Sequence, residues 1–264
     1  MSRSSQLSPS CPTQRILALC LQPDVHGPMS LVHIGDADIA FERLGGAGPV
    51  IVFASGLGAD MRDWEEVARL VAAFARVVLY DRLGIGSSSP RRGTSVLLAS
   101  TVADELQAFL HAIEIPPPYI LVGHSLGGFY MQAFARKYPC ETAAVVLVDS
   151  ASPLEPPGAF DLTVPPEPGS IAASEEAGFA PSAAAMLAGP PFPPVPLIVL
   201  VATNHDVTPD REALWQQVQE HTAALSPQGR LRIVPGAGHS IQKDLPQVVV
   251  EAVLEAVRDA GMCT

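Results

Sequence analysis

Short, almost continuous runs of Val, Ile and Leu alternate with helical patterns along most of this chain. Such runs are typical of strands that are buried on both faces, as in a parallel sheet covered by helices. The repeated strand–helix order predicts an α/β protein with a mostly parallel, doubly wound sheet and helices on both faces. The chain has 264 residues, of which 48% are hydrophobic, and this is compatible with one such domain.

The apolar runs also predict where individual elements lie. We expect an opening hairpin, six further strands and five helices. The strands are Ser30–Ile34, Asp38–Leu44, Val50–Ala54, Val77–Tyr80, Tyr119–Val122, Ala143–Val148, Leu197–Ala202 and Leu231–Val234. The helices are Trp64–Phe74, Ser95–Ile115, Gly128–Arg136, Asp210–Leu225 and Pro246–Asp259.

A G-x-S-x-G motif, Gly123-His124-Ser125-Leu126-Gly127, lies between a predicted strand and a predicted helix. A serine on so sharp a turn needs neighbours without side chains, and the two glycines of the motif provide that room. The context is that of a nucleophile elbow, which exposes the serine hydroxyl at the edge of the sheet. Ser125 is therefore the predicted nucleophile, and the alternative is a glycine-rich turn that only packs a helix on a sheet.

A serine hydroxyl needs an adjacent base, and the base needs an acid that holds it in one tautomer. His239 is the predicted base because it lies in a glycine-rich loop just after the last strand. Asp206 is the predicted acid, since it follows the strand Leu197–Ala202 and keeps the chain order Ser, Asp, His. Asp149 also follows a strand at the same edge and remains the alternative acid.

Two backbone N–H groups are expected to form an oxyanion hole. One belongs to Leu126, the residue after the predicted nucleophile. The other is assigned to Leu57, because the segment Ser55–Gly58 follows a buried strand and its glycines allow close approach to a ligand.

Residues 151–196 interrupt the strand–helix pattern and contain 12 of the 26 prolines. A loop this long within a domain is uncommon unless it has a function, so we interpret it as a small lid with a short helix at 175–187. A disordered insertion is the alternative. The lid and the loop Met61–Trp64 are mostly apolar, which favours an uncharged substrate. The predicted substrate contacts are Met61, Trp64, Phe179 and Met186.

The charge and cysteine content narrow the possible functions. The formal net charge of −11 and the scattered Lys and Arg residues argue against nucleic-acid binding. No apolar run is long enough for a membrane span, and four cysteines without paired spacing indicate reduced thiols in a cytoplasmic protein. Residues 1–28 are rich in Ser, Pro and Gln and are predicted to be a flexible extension before the domain at 29–264.

From about Met29 to the end, the chain resembles the α/β-hydrolase fold family, and in particular its serine esterases and lipases. The resemblance rests on these motifs, in this order: Ser55-Gly56-Leu57-Gly58, Tyr80-Asp81-Arg82-Leu83-Gly84-Ile85-Gly86-Ser87, Gly123–Gly128, Val148-Asp149-Ser150, His205-Asp206 and Gly238-His239. It implies a Ser-His-Asp triad and a structural turn at Asp81 and Arg82. Many members have His-Gly where this chain has Ser55-Gly56. The serine at 125 argues against the members that use an aspartate nucleophile.

The resemblance implies hydrolysis of a small-molecule carboxylic ester through an acyl-enzyme, with no metal and no organic cofactor. Lactones, thioesters, amides and carbon–carbon bonds next to a ketone are alternatives on the same residues. A cofactor-free haloperoxidase, an acyltransferase and a ligand-binding, receptor-like protein of the same fold are further alternatives. The oligomeric state is not predicted.

Overall fold

Eight strands form one sheet in the computed structural model, which describes residues 27–93, 95–160, 162 and 164–262. The strands are β1 Ser30–Ile34, β2 Ala37–Leu44, β3 Val50–Ala54, β4 Arg76–Tyr80, β5 Tyr119–His124, β6 Thr142–Val148, β7 Leu197–Ala202 and β8 Gly229–Val234. All of the predicted strands are present. The predicted extension at 1–28 lies outside the described residues except for its last two, and it stays a prediction.

The strand order is β1-β2-β4-β3-β5-β6-β7-β8. Strand β2 pairs antiparallel with both β1 and β4, and all other pairs are parallel. Strands β3 to β8 therefore point the same way, and the loops that follow them meet at one edge of the sheet. In open α/β sheets ligands bind at this carboxyl edge.

The described residues contain seven α-helices, of which the last two follow β8. They are α1 Glu65–Val71, α2 Ala99–Ala112, α3 Leu126–Lys137, α4 Ile171–Ala188, α5 Pro209–Ala223, α6 Ile241–Asp244 and α7 Pro246–Asp259. A 3₁₀ turn at Met61–Trp64 precedes α1. Helix α2 is shorter than the predicted 95–115, α4 is longer than the predicted 175–187, and α6 was not predicted. None of the described helices has both the length and the apolar composition needed to cross a bilayer.

The side chains of the central strands alternate between two hydrophobic layers. Phe53 and Val122 pack on one face of the sheet with helices α1 and α7, whereas Val52 and Leu121 pack on the other face with α2 and α3. The central strands are buried on both faces, and for this reason their sequences are continuous runs of apolar residues. Burial of each large side chain contributes about 1.5–3 kcal/mol to folding, so the strand ends are rigid supports for the edge loops.

The predicted lid contains α4, and a buried ion pair joins this helix to the edge of the sheet. Arg82 Nε donates to Glu175 Oε1 at 2.8 Å, and both side chains are at most 3% exposed. The second Glu175 oxygen accepts from the N–H of Gly58 at 3.0 Å. Farther along α4, a Cβ on Gly178 would lie 1.8 Å from the carbonyl oxygen of Leu97, so the helix backbone touches the neighbouring loop. Helix α4 is thus docked against the sheet edge.

Replacement of Glu175 by Ala is expected to lower the free energy of unfolding by about 3–5 kcal/mol. The substitution leaves the buried guanidinium of Arg82 without its carboxylate, and an uncompensated buried charge is strongly destabilising. Chemical denaturation followed by circular dichroism measures the change. The matched control is Glu176→Ala on the same helix, for which a change below about 1 kcal/mol is expected because no ion pair is lost among the described residues. Equal losses in the two variants would contradict the role given to the ion pair.

Candidate active site

Ser125 lies on the turn between β5 and α3, with φ 51° and ψ −125°. A non-glycine residue rarely adopts such a φ, so the backbone is strained at this position. A Cβ on Gly123 would lie 2.5 Å from Cα of Gly128, and one on Gly127 would lie 2.2 Å from the carbonyl oxygen of Ala54. Only glycine fits on either side of the serine, so the turn has the geometry that the G-x-S-x-G motif predicts.

His239 lies in the loop after β8, and its ring is held by a hydrogen bond at Nδ1. The Nδ1 atom lies 2.6 Å from Oδ2 of Asp149. An ionised carboxylate can only accept, so the hydrogen-bond network places the proton on Nδ1 and leaves Nε2 as a proton acceptor. The backbone carbonyl of His239 accepts from Nε2 of His124 at 2.8 Å. Ser125 and His239 line the same cavity.

The structure differs from the sequence prediction in the acid that contacts His239. Asp149, which follows β6 and is fully buried, binds His239, whereas Asp206 is exposed. The carboxylate of Asp206 makes no hydrogen bond to any described residue. The ends of β6 and β7 are neighbours in the sheet, and both aspartates satisfy the order Ser, Asp, His, so chain order does not distinguish them. Asp149, the alternative, is the better-placed acid.

Four donors surround the buried carboxylate of Asp149. Its Oδ1 accepts from the backbone N–H of Ala202 and from Nε1 of Trp215, each at 3.0 Å. Its Oδ2 accepts from His239 and from Nε2 of His205, each at 2.6 Å. Burial alone raises the pKa of this carboxyl, but the hydrogen bonds from the two histidines outweigh it and hold the pKa well below its usual range. Asp149 therefore remains ionised at neutral pH.

His205 is a site residue to which the sequence reasoning assigned no role. Its Nε2 contacts Asp149, and its Nδ1 lies 2.8 Å from Oε1 of Glu212 on α5. Burial lowers the pKa of His205, but hydrogen bonds and charge from the two carboxylates outweigh burial and raise it to about 9. The only signal in the sequence was the position of His205 at the end of β7, next to the residue predicted as the acid.

Asp149, His205 and His239 each offer one atom that could bind a metal ion, and these atoms lie within 4.8 Å of one another. Metal binding would require ring nitrogens without protons. Both ring nitrogens of His205 instead face carboxylate oxygens, which is the arrangement of a protonated imidazolium. The donor set fits a hydrogen-bonded network better than a metal site.

The two predicted oxyanion donors belong to the helix that follows the elbow and to the loop after β3. Leu126 is the first residue of α3, where the N–H has no partner within the helix. Leu57 lies in the loop after β3, which Arg82 holds in place by donating to the carbonyl oxygens of Ser55 at 2.7 Å and Gly56 at 2.8 Å. Both leucines line the cavity with Ser125. The N–H of Leu57 has no backbone acceptor among the described residues.

A cavity of about 610 Å³ lies above the elbow, and most of its wall is apolar. Residues 151–160, Leu162, helix α4 and the start of α5 supply most of the wall. Its larger apolar side chains include Leu57, Leu126, Pro153, Pro156, Pro157, Phe160, Leu162, Phe179, Leu187, Val207 and Trp215. Five ionisable side chains complete it, namely Glu155, Glu176, His205, Arg211 and His239. Burial raises the pKa of Glu155 to about 7, so this carboxyl changes charge near neutral pH.

Of the four predicted substrate contacts, the structure places only Phe179 on the cavity wall. Trp64 is fully buried in the core, where its ring lies 5.0 Å from that of Phe53. Met61 is buried in the same layer, and Met186 packs with Phe129 below the cavity. Apolar composition made these three residues candidates, but it cannot separate the hydrophobic core from a cavity wall.

Comparisons with known proteins agree with this architecture. The sequence matches the α/β hydrolase fold family over residues 49–173. It is 32% identical over 109 residues to the uncharacterized protein YqjL of Bacillus subtilis, a match that covers 41% of this chain and 42% of YqjL. It is 34% identical over 101 residues to an AB hydrolase superfamily protein of Gibberella zeae, covering 37% of this chain and 30% of that protein. The matched segments thus span less than half of these curated relatives.

A thermophilic esterase from Thermogutta terrifontis, solved with malate bound, has a similar structure. The TM-score is 0.71 at 22% sequence identity, and the alignment covers 89% of this chain and 99% of the esterase. At this identity the likeness concerns the fold, and it extends over nearly the whole sheet and its helices. Together with the match at 49–173 and the elbow geometry at Ser125, it shows that the chain has the α/β-hydrolase fold.

Proposed function

We propose that this protein is a serine hydrolase that cleaves uncharged carboxylic esters through an acyl-enzyme. The observation that carries the proposal is the 2.6 Å contact from Nδ1 of His239 to buried Asp149, in a cavity that His239 shares with the strained elbow residue Ser125. The contact directs the Nδ1 proton at Asp149, so the neutral ring carries its lone pair on Nε2. A base in this tautomer is what a serine hydroxyl requires to become a nucleophile.

In the first half of the reaction, His239 Nε2 removes the Ser125 proton as the serine oxygen attacks the acyl carbon. The new N–H makes His239 an imidazolium, and the ionised carboxylate of Asp149 stabilises that charge. The carbonyl oxygen becomes an oxyanion that accepts from the N–H groups of Leu57 and Leu126. Where such a donor has been removed in other enzymes, the rate falls by about 10²–10³.

The tetrahedral intermediate then expels the alcohol, which takes the proton held by His239. A water molecule enters, His239 removes one of its protons, and the resulting hydroxide attacks the acyl-enzyme. Collapse of the second intermediate releases the acid and returns the proton to Ser125. All proton transfers in this cycle pass through one imidazole nitrogen, and Asp149 stays ionised throughout.

The cavity supports the choice of an uncharged, moderately hydrophobic substrate. Its wall is mainly Leu, Pro and Ala side chains with the aromatic rings of Phe160, Phe179 and Trp215. Such walls bind acyl or alcohol groups by burial of apolar surface, while the few polar groups at the elbow orient the ester. The esterase from Thermogutta terrifontis, which shares the fold, is consistent with this bond type.

Replacement of Ser125 by Ala is expected to lower kcat for para-nitrophenyl butyrate by at least about 10⁴-fold, because it removes the nucleophile. It should also abolish covalent labelling by a serine-reactive fluorophosphonate, measured by mass spectrometry. The matched control is Ser87→Ala, an exposed serine on another loop, for which both readouts should match wild type. Labelling and turnover that persist in the Ser125→Ala protein would refute the proposed function.

Isosteric substitutions can show which of the two aspartates acts as the acid that orients His239. Asp149→Asn is expected to lower kcat by about 10⁴-fold, because the amide can donate to His239 and so stabilise the wrong tautomer. Asp206→Asn is expected to keep kcat within about twofold, since this exposed carboxylate is not bonded to the described residues. Steady-state kinetics on the same aryl ester test both. A large loss at Asp206 with little loss at Asp149 would restore the sequence prediction.

Filling the cavity should change the preferred chain length. Ala183 of α4 lines the cavity, so Ala183→Phe is expected to reduce kcat/KM for a para-nitrophenyl decanoate about 10–100-fold relative to the acetate. Ala185, two residues farther on the same helix, is exposed and does not line the cavity. The control Ala185→Phe should leave the chain-length profile unchanged. An unchanged profile in Ala183→Phe would mean that the acyl chain binds elsewhere.

A further inference from the structure

We infer that His205 is a positively charged positioning residue that shares the acid Asp149 with His239 and thereby sets how far into acidic pH the site can work. This inference rests on the proposed function, because it concerns the base of the proposed triad. It assigns to His205 no contact with the reacting atoms. His205 acts on His239 through the carboxylate oxygen that both rings contact.

The charge on His205 follows first from geometry. Its Nε2 lies 2.6 Å from Oδ2 of Asp149, and its Nδ1 lies 2.8 and 3.0 Å from the two oxygens of Glu212. A neutral imidazole carries only one N–H, so one of its nitrogens would direct a lone pair at a carboxylate. A ring held between two carboxylates therefore needs both protons. Its side chain is 13% exposed, so little water screens these contacts.

The ionisation of the neighbours agrees with this geometry. The hydrogen bonds to Asp149 and Glu212 outweigh burial and raise the pKa of His205 to about 9. A group with a raised pKa keeps its proton below that pH, so His205 is charged throughout the neutral and acidic range. Asp149 has a pKa well below its usual range and keeps its negative charge over the same range. The pair is thus an imidazolium and a carboxylate.

The ion pair between His205 and Asp149 changes the electrostatic potential at the His239 ring. Without His205, the full negative charge of Asp149 would favour the protonated form of His239. The imidazolium of His205 donates to the same oxygen, and its ring centroid lies 6.2 Å from that of His239. A like charge so close disfavours protonation of His239. Removal of the His205 charge is therefore expected to make protonation of His239 more favourable.

Other ionisable groups surround the two rings and must be separated from this effect. The ring of His124 lies 4.6 Å from His239, but burial lowers the pKa of His124 to about 4, so it is neutral over most of the range. The carboxylate of Asp244 accepts from the N–H of Gly238, beside the base. Glu155, Glu176 and Arg211 line the cavity, and Asp206 follows His205 in the chain. Among these, Glu155 has a pKa raised to about 7 and is a confounding titration.

The protonation of His205 can be measured without any turnover. Ring ¹⁵N chemical shifts of histidine-labelled Ser125→Ala protein distinguish an imidazolium from the two neutral tautomers. We expect both ring nitrogens of His205, assigned by their loss in Ser125→Ala/His205→Gln, to be protonated at pH 7 and to titrate near pH 9. A neutral ring at pH 7 would overturn the inference. This result stands whether or not the protein is an esterase.

The effect on the base is read from the acid limb of kcat/KM against pH, measured in a Glu155→Gln background to remove the confounding titration. We expect His205→Gln to move the acid limb to higher pH by about one unit. Glu212→Gln, which removes one of the two carboxylates that keep His205 charged, should move it in the same direction by less. Adding Glu212→Gln to His205→Gln should cause no further shift, because Glu212 acts through His205.

The control is His221→Gln, an exposed histidine on α5 for which no shift of the limb is expected. If His205→Gln does not fold, the Glu212→Gln protein alone decides, because it retains His205. A purely structural role would lower kcat/KM without moving the limb, and an unmoved limb in both variants would overturn the inference. Failure of the proposed function is distinct, since it shows as full turnover in Ser125→Ala.

If Asp149, His205 and His239 bound a metal ion that the reaction needs, removal of the ion would abolish activity. Prolonged EDTA treatment of the wild-type protein is expected to leave kcat/KM unchanged. A loss of activity that added Zn²⁺ restores would mean that Asp149, His205 and His239 hold an ion, and the charged-histidine inference would then be wrong.

Discussion

The arrangement of the site depends on one buried carboxylate. Asp149 accepts hydrogen bonds from a backbone N–H of β7, the indole of Trp215 on α5, His205 and His239. Placing a carboxylate in the interior is costly unless it is well hydrogen-bonded, and these four donors offset that cost. They also come from separate parts of the chain. The same anion therefore joins β6, β7, α5 and the loop after β8, and it orients the imidazole that is proposed to act on Ser125.

A second buried pair connects helix α4 to the loop after β3. Arg82 contacts the backbone of the loop that carries Leu57, and Glu175 ties α4 to both Arg82 and that loop. The position of the proposed oxyanion donor is thus coupled to the docking of α4. A segment that the sequence marks as a proline-rich interruption becomes a wall of the cavity. One charged network thus orients the proposed base, and the other supports the loop that carries a proposed oxyanion donor.

Much of the fold is predictable from the sequence because its signals are local. The central strands are continuous apolar runs, and the glycines around Ser125 are required by contacts within a few residues of the turn and with β3. The choice between Asp149 and Asp206 is not local, since it depends on which of two adjacent strand ends is covered by Trp215 and the histidines. The pairing of Glu175 with Arg82 spans 93 residues and leaves no pattern in the sequence. The burial of Trp64 is likewise decided by packing, not by composition.

The central claim is that Asp149 is an ionised acceptor shared by His205 and His239. Neutron diffraction of the deuterated protein near neutral pH locates the relevant protons directly. The account predicts deuterium on both ring nitrogens of His205 and on Nδ1 of His239, with none on Asp149 or on Nε2 of His239. Deuterium on the carboxyl of Asp149, or a His239 ring turned to Asp206, would contradict it.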